Sequence, residues 1–161
     1  MSTPLITPEL VSLDANLGST KTEVITSVAG LIAAAGRADA DGLAHDALDR
    51  ESKSPTGMPG GFAIPHCRSA AVSQVSLGFA RLSPAVDFNG PDGPADLIFM
   101  IAASEDGGAD HMKLLTKLAR ALVNPEFVEQ LRQAPDAQTV GDLIGGCLLY
   151  TSDAADDTPC E

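Results

Sequence analysis

The sequence predicts a three-layer α/β sandwich, with a mixed central β-sheet of about five strands flanked by helices. Strand-like and helix-like patterns alternate along the chain, the arrangement that builds layered α/β domains. Leu97 to Ala102 is a continuous apolar run, the mark of a central strand covered on both faces. The 161 residues, 44% of them apolar, suffice for one domain with a continuous core.

The elements follow in order. Leu10 to Leu13, closed by Asp14, reads as an opening strand. Ser19 and Thr20 are both N-cap candidates for a helix in which Val24, Val28, Leu31 and Ile32 repeat at helical spacing, and Gly36 stops it. Asp39 or Asp41 can cap a second helix through Leu43, Ala47 and Leu48, ending near Arg50. Residues 54 to 61 contain two prolines and three glycines and predict a loop. Phe62 to Ile64 predicts a strand end, and Val75 to Leu82 a further strand. Asn89 to Pro94 predicts the hairpin region before the central run. Gly107-Gly108 breaks that run, and Asp110 can cap a helix from His111 through Leu122. Asn124-Pro125 starts another, carrying Phe127, Val128 and Leu131. Thr139 is the expected cap of the last, with Val140, Leu143 and Ile144.

After Gly145-Gly146 the pattern changes. Residues 151 to 161 are acidic and aperiodic, with four of the chain's 22 acids in eleven positions. The expected division is a domain over 1–146 and a non-native or disordered tail over 147–161.

The chemistry concentrates in Arg50-Glu51-Ser52-Lys53-Ser54-Pro55-Thr56-Gly57-Met58-Pro59-Gly60-Gly61-Phe62-Ala63-Ile64-Pro65-His66. The chain carries a formal charge of −12, yet residues 52 to 86 hold Lys53, Arg68 and Arg81 and no acid, with Arg50 just upstream. Neutral imidazole is a nucleophile near neutral pH, and guanidinium and ammonium groups neutralise charge on a phosphoryl group. A histidine that handles an anion is the expectation. His111 opens a helix, where unpaired N–H groups and the dipole also favour an anion.

These seventeen positions resemble the phosphorylation site of the enzyme IIA domains of the fructose–mannitol family, from the bacterial sugar phosphotransferase system. The family pattern is an Arg-Glu pair, a Ser/Thr-Pro-Thr-Gly turn, and a Gly-rich approach to an apolar-Ala-apolar-Pro-His end. A second mark, a histidine opening a Leu-rich helix, is matched by His111-Met112-Lys113-Leu114-Leu115-Thr116-Lys117-Leu118. The likeness extends over roughly residues 4 to 145. It favours the fructose branch, because mannitol-type members often carry an acid where this chain has Gly60 or Gly61.

The resemblance implies the same α/β fold and assigns roles residue by residue. His66 is the phosphorylated nucleophile, reacting through Nε2. His111 donates a hydrogen bond to the phosphoryl group, and Arg50 stabilises its charge. Thr56 and Arg68 are further binding candidates: Thr56 and Ser54 can bond the loop or the phosphate, and Arg68 can face a partner protein instead. The expected partners are HPr as donor and enzyme IIB, whose cysteine receives the group and which in the native frame can share the polypeptide. Enzyme IIB would link the chain peripherally to the membrane enzyme IIC. The alternative is a regulatory, nitrogen-type paralogue acting by phosphorylation-dependent protein binding.

Other chemistries fit less well. Cys67 adjoins His66, but adjacent residues of an extended segment point to opposite faces, a poor geometry for a cysteine–histidine dyad. His45, His66, His111 and Cys67 lack the paired spacing of a zinc site, so no metal or organic cofactor is expected. His45, among Ala and Asp residues, reads as exposed and inert. Cys67, Cys147 and Cys160 are too few and too scattered for a disulfide framework. Ten cations against 22 acids exclude nucleic acid as partner. The acidity suits a basic protein partner or serves solubility alone. Without a signal-like N-terminus or an apolar run near 20 residues, the expected location is the cytoplasm.

Overall fold

The computed structural model describes residues 6–58, 60–91, 93–105 and 108–150. The chain forms strands β1 (Val11–Ala15), β2 (Gly57–Met58), β3 (Phe62–Ala63), β4 (His66–Ser69), β5 (Ser76–Val86) and β6 (Ala95–Ser104). The helices are α1 (Lys21–Ala34), α2 (Ala40–Lys53), α3 (Gly108–Ala121), α4 (Pro125–Gln133) and α5 (Ala137–Tyr150). No helix among the described residues is long and apolar enough to cross a membrane.

The strands form one mixed sheet in the order β1-β5-β6-β3-β2, with β4 also on β6. β5 and β6 are an antiparallel hairpin, whereas β1 on β5 and β3 and β4 on β6 are parallel. The Leu97 to Ala102 run thus lies centrally in the sheet, as its apolar continuity requires. The sequence suggested about five strands. The observed six include β2, which lies inside the residues 54–61 read as a loop, and β4, which Ile64-Pro65 sets apart from β3; β3 and β4 pair in succession with the same strand.

Alternation along β5 shows how the three layers assemble. Gly78 lies against Val28 and Ile32 of α1, its missing Cβ leaving room for the Val28 methyl. Three residues on, Arg81 emerges from the opposite face. It donates from Nη1 to the carbonyls of Leu131, Arg132 and Ala134, at and just beyond the end of α4, each at 3.0 Å. Its Nε and Nη2 hold Asp14 at 2.8 Å each. α1 and α2 therefore cover one face, and α3, α4 and α5 the other.

The helix starts follow from side-chain capping, which satisfies N–H groups that a first turn leaves unpaired. Thr20 accepts from Glu23 N, Asp39 from Gly42 N at 2.9 Å, and Asn124 from Glu126 N at 3.0 Å. Two expectations require correction. The last helix is capped by Asp136, whose carboxylate accepts from both Thr139 N (2.8 Å) and the Thr139 hydroxyl (2.7 Å). A carboxylate accepts two such bonds at once, so Asp136 displaces Thr139 from the cap position. α3 begins at Gly108, which puts Asp110 inside the first turn; its side chain lies outside the described residues.

α5 runs to Tyr150 and so crosses Gly146, where the sequence placed the end of the domain. A glycine costs a helix only about 1 kcal/mol relative to alanine, too little by itself to stop one that apolar Leu148-Leu149 can continue. Residues 151–161 lie outside the described residues.

Candidate active site

The segment before His66 is folded by its punctuation. Pro55 follows the end of α2, and the chain turns so that β2 and β3 pair antiparallel, Gly57 with Ala63 and Met58 with Phe62. Gly60 and Gly61 occupy φ of 95° and 84°, a region that side-chain-bearing residues rarely adopt. Arg132 reaches the same turn from α4. It holds Asp96 through Nε and Nη2 (3.1 and 2.8 Å), donates to the Gly60 carbonyl (2.9 Å), and lies 5.8 Å over the Phe62 ring. The positive φ favours glycine at Gly61, and a Cβ there would also crowd Arg132 Nη2 at 3.0 Å.

Ile64 and Pro65 then separate β3 from β4. The Pro65 carbonyl accepts from Ile101 N at 2.9 Å and keeps the segment on β6. Ile64 N–H donates to the Thr56 carbonyl at 3.2 Å, on the side of β2. The Ile64 carbonyl lies past the end of that short strand, and His66 Nδ1 stands 2.7 Å from it. A carbonyl only accepts, so Nδ1 carries the proton, and a neutral ring then has its lone pair on Nε2.

His66 is buried. Burial lowers its pKa below the ordinary imidazole value; the bond to Ile64 opposes this, Arg50 lowers it further, and Glu51 raises it. The net effect keeps the ring neutral, the nucleophilic form, at pH 7.

The expected cations separate into different roles. Arg50, in the last turn of α2, donates from Nη1 to the Ser54 carbonyl at 3.1 Å and lies close enough to His66 to influence its protonation. Arg68 is exposed two residues along β4, on the same strand face as His66. Lys53 pairs with Asp49 at 3.2 Å. Arg81 is committed to Asp14 and to the end of α4, so the acid-poor run 52–86 is not one basic patch. His111 falls in the first turn of α3, which starts four residues after β6 ends, and its side chain lies outside the described residues.

Thr56 is buried, and its hydroxyl donates to Glu51 Oε1 at 2.7 Å. A hydroxyl has one proton, so in this arrangement Thr56 holds the loop and has none to offer an anion. Ser54 is exposed and lends its carbonyl to Arg50. His45 is exposed beside Asp46, with 3.3 Å between Nδ1 and Oδ1. Among the described residues no group of three His, Cys, Asp or Glu side chains is placed to hold a metal ion.

Cys67 leaves β4 on the face opposite His66, the face from which Ser69 donates to Asp46 of α2. Burial first, and the Asp46 charge second, push its thiol up to about 12. The thiolate is the reactive form, so Cys67 is inert near neutrality. It should remain unlabelled when the native protein meets iodoacetamide at about pH 8 and react after unfolding, read by peptide mass spectrometry. Labelling of native Cys67 as fast as of a denatured control would show that the thiol is not enclosed.

Sequence reading missed Glu51, Lys21 and Arg132 as parts of the site. Glu51 stood within the motif and its carboxylate could have prompted the question. Lys21 and Arg132 carry no local signal, because their contacts join segments far apart in the chain.

Fold and site together define a class: an α/β domain presenting a neutral, hydrogen-bond-oriented histidine beside a guanidinium at the edge strand of its sheet. Residues 4–145 match the family model described as phosphoenolpyruvate-dependent sugar phosphotransferase system, EIIA 2, and the chain belongs to that family. It is 40% identical over 142 residues to the fructose-specific EIIA component of Haloferax volcanii, covering 86% of this chain and 92% of that protein. It is 34% identical over 144 residues to the fructose-specific EIIABC component of Bacillus subtilis, covering 88% of this chain but 22% of that longer protein. Among solved structures, nitrogen regulatory protein IIA-Ntr from Neisseria meningitidis superposes with a TM-score of 0.79 at 26% identity, covering 87% of this chain and 96% of that one.

Proposed function

We propose that the chain is a phosphocarrier of a fructose-type sugar uptake system, with His66 as the residue that carries the phosphoryl group. The Nε2 lone pair attacks phosphorus of a phosphohistidine on HPr. The new N–P bond forms as the old one breaks, and the donor imidazole leaves with the electron pair. The proton on Nδ1 stays in place throughout, held by the Ile64 carbonyl. In the second step a cysteine thiolate of enzyme IIB attacks the same phosphorus and His66 departs as neutral imidazole. No metal or organic cofactor enters either step, and both take place in the cytoplasm.

What supports this most is the 2.7 Å contact between His66 Nδ1 and the Ile64 carbonyl, within a buried ring kept neutral. Phosphoryl transfer has a loose transition state, so orientation and charge neutralisation supply most of the rate. Arg50 and His111 are assigned the second task. Losing one charged hydrogen bond to a transition state costs about 2–4 kcal/mol, or roughly 30- to 1,000-fold in rate. Arg50→Ala and His111→Ala should therefore still accept phosphate from phospho-HPr and pass it to enzyme IIB, each slower by that factor in quenched-flow measurements. Wild-type rates in both directions for His111→Ala would remove it from the site.

The likeness to IIA-Ntr favours a second reading, in which the same phosphohistidine controls binding to another protein. Transfer from His66 to a cognate enzyme IIB cysteine separates the two. A chain that accepts phosphate but donates it to no enzyme IIB belongs to the regulatory kind.

A further inference from the structure

Glu51 is the one acid among the buried polar residues described, at 2% exposure. Its Oε1 accepts from the Thr56 hydroxyl at 2.7 Å, and its Oε2 accepts from Thr56 N at 2.9 Å. Lys21 Nζ stands 3.5 Å from Oε2 and also donates to Asn89 Oδ1 at 2.6 Å. A carboxylate taken this far out of water is costly unless it is paired and hydrogen-bonded, and here both conditions hold. The chain of bonds continues toward the histidine: the Thr56 carbonyl accepts from Ile64 N at 3.2 Å, and the Ile64 carbonyl faces His66 Nδ1 at 2.7 Å.

We propose that Glu51, held by Lys21, is a positioning residue for His66: it anchors Thr56, Thr56 fixes Ile64, and the Ile64 carbonyl selects the Nδ1–H tautomer. The consequence for rate rests on His66 being the phosphoryl acceptor; the consequence for the tautomer does not. Glu51 acts through the backbone, since a carboxylate placed directly against a phosphoryl group would repel it. Burial beneath Thr56 and neutralisation by Lys21 avoid that repulsion. Asn89 adds the turn after β5 to the same junction, so Lys21 joins α1, the end of α2 and that turn.

The test is ¹⁵N NMR of the His66 ring beside transfer rates from phospho-HPr, for wild type, Glu51→Gln, Lys21→Met and Thr56→Ser. Glu51→Gln has the shape of Glu51 but lacks the charge and one acceptor. It should reduce the Nδ1–H fraction at His66 and slow transfer by roughly 10- to 100-fold, by analogy with the loss when a group orienting a metal-bound histidine is removed. Lys21→Met should shift both in the same direction, and Thr56→Ser, which keeps the hydroxyl, should leave both near wild type. An unchanged Nδ1–H fraction in Glu51→Gln overturns the proposal whatever happens to the rate. If Glu51→Gln does not fold, Thr56→Val against Thr56→Ser asks the same question: equal tautomer populations in that pair would refute the link. A wild-type chain that accepts no phosphate, yet loses its tautomer on Glu51→Gln, would defeat the phosphocarrier reading and leave the positioning role standing.

Discussion

Incubation with phospho-HPr should place one phosphoryl group on the chain, labile to acid and stable to base, and His66→Ala should abolish it. The effect is all or none because the substitution removes the atom that makes the bond. Neighbouring side chains do not replace it: Cys67 points to the other face of β4 with its thiol raised to about 12. The pH profile gives a second check. A protonated imidazole has no lone pair, and burial holds the folded pKa of His66 below 6.5. The decline in acceptance as pH falls should therefore set in at lower pH than it would for an ordinary imidazole. The same displacement affects stability. The unfolded chain binds this proton more readily than the folded one, so the His66 contribution to stability is lost as pH falls from about 6.5 toward the folded pKa. Label persisting in His66→Ala would move the acceptor elsewhere and remove the central claim.

Phe99→Ala should be the most damaging single change to stability. Phe99 is fully buried at the middle of β6, directly opposite Phe79 of β5, with ring centroids 5.0 Å apart and planes at 61°. Truncating such a residue costs about 3–5 kcal/mol, from lost apolar burial and the cavity left behind. Small domains are stable by only about 5–15 kcal/mol, so a large share of the total disappears. At roughly 2–4 °C per kcal/mol for a chain of this size, Tm should fall by about 6–20 °C in thermal melts. Val123→Ala, at a position 79% exposed, should stay within about 0.5 kcal/mol of wild type. A Phe99→Ala loss below about 1 kcal/mol would mean that β6 is not the core strand described.

Much of this molecule was legible in the sequence, wherever the signal is local. Thr20, Asp39 and Asn124 cap helices because a short polar side chain reaches an N–H two or three residues ahead. Thr139 misled for a related reason: it follows Asp136, and the carboxylate takes both available bonds. The division of Phe62–Ser69 into two strands was half visible. Phe62 to Ile64 read as a strand end, whereas the continued pairing of both halves with β6 did not show.

By itself the sequence determined the layered α/β class and the central strand, marked most of the loop of prolines and glycines, and pointed to His66 as the candidate for anion chemistry. Each of these is a property of neighbours within one or two turns of chain. The tertiary structure alone decided the sheet order, the spending of Arg81 on Asp14 and of Arg132 on Gly60, and the burial of Glu51 under Thr56 and Lys21. Those partners meet across 67 positions for Arg81 and Asp14, 68 for Lys21 and Asn89, and 72 for Arg132 and Gly60. No local pattern encodes such a meeting, because it exists only once the sheet has closed and burial has removed water as the competing partner. The contact of His66 Nδ1 with the Ile64 carbonyl spans only two positions, but the backbone that presents this carbonyl is held by Thr56 and by Ile101 of β6.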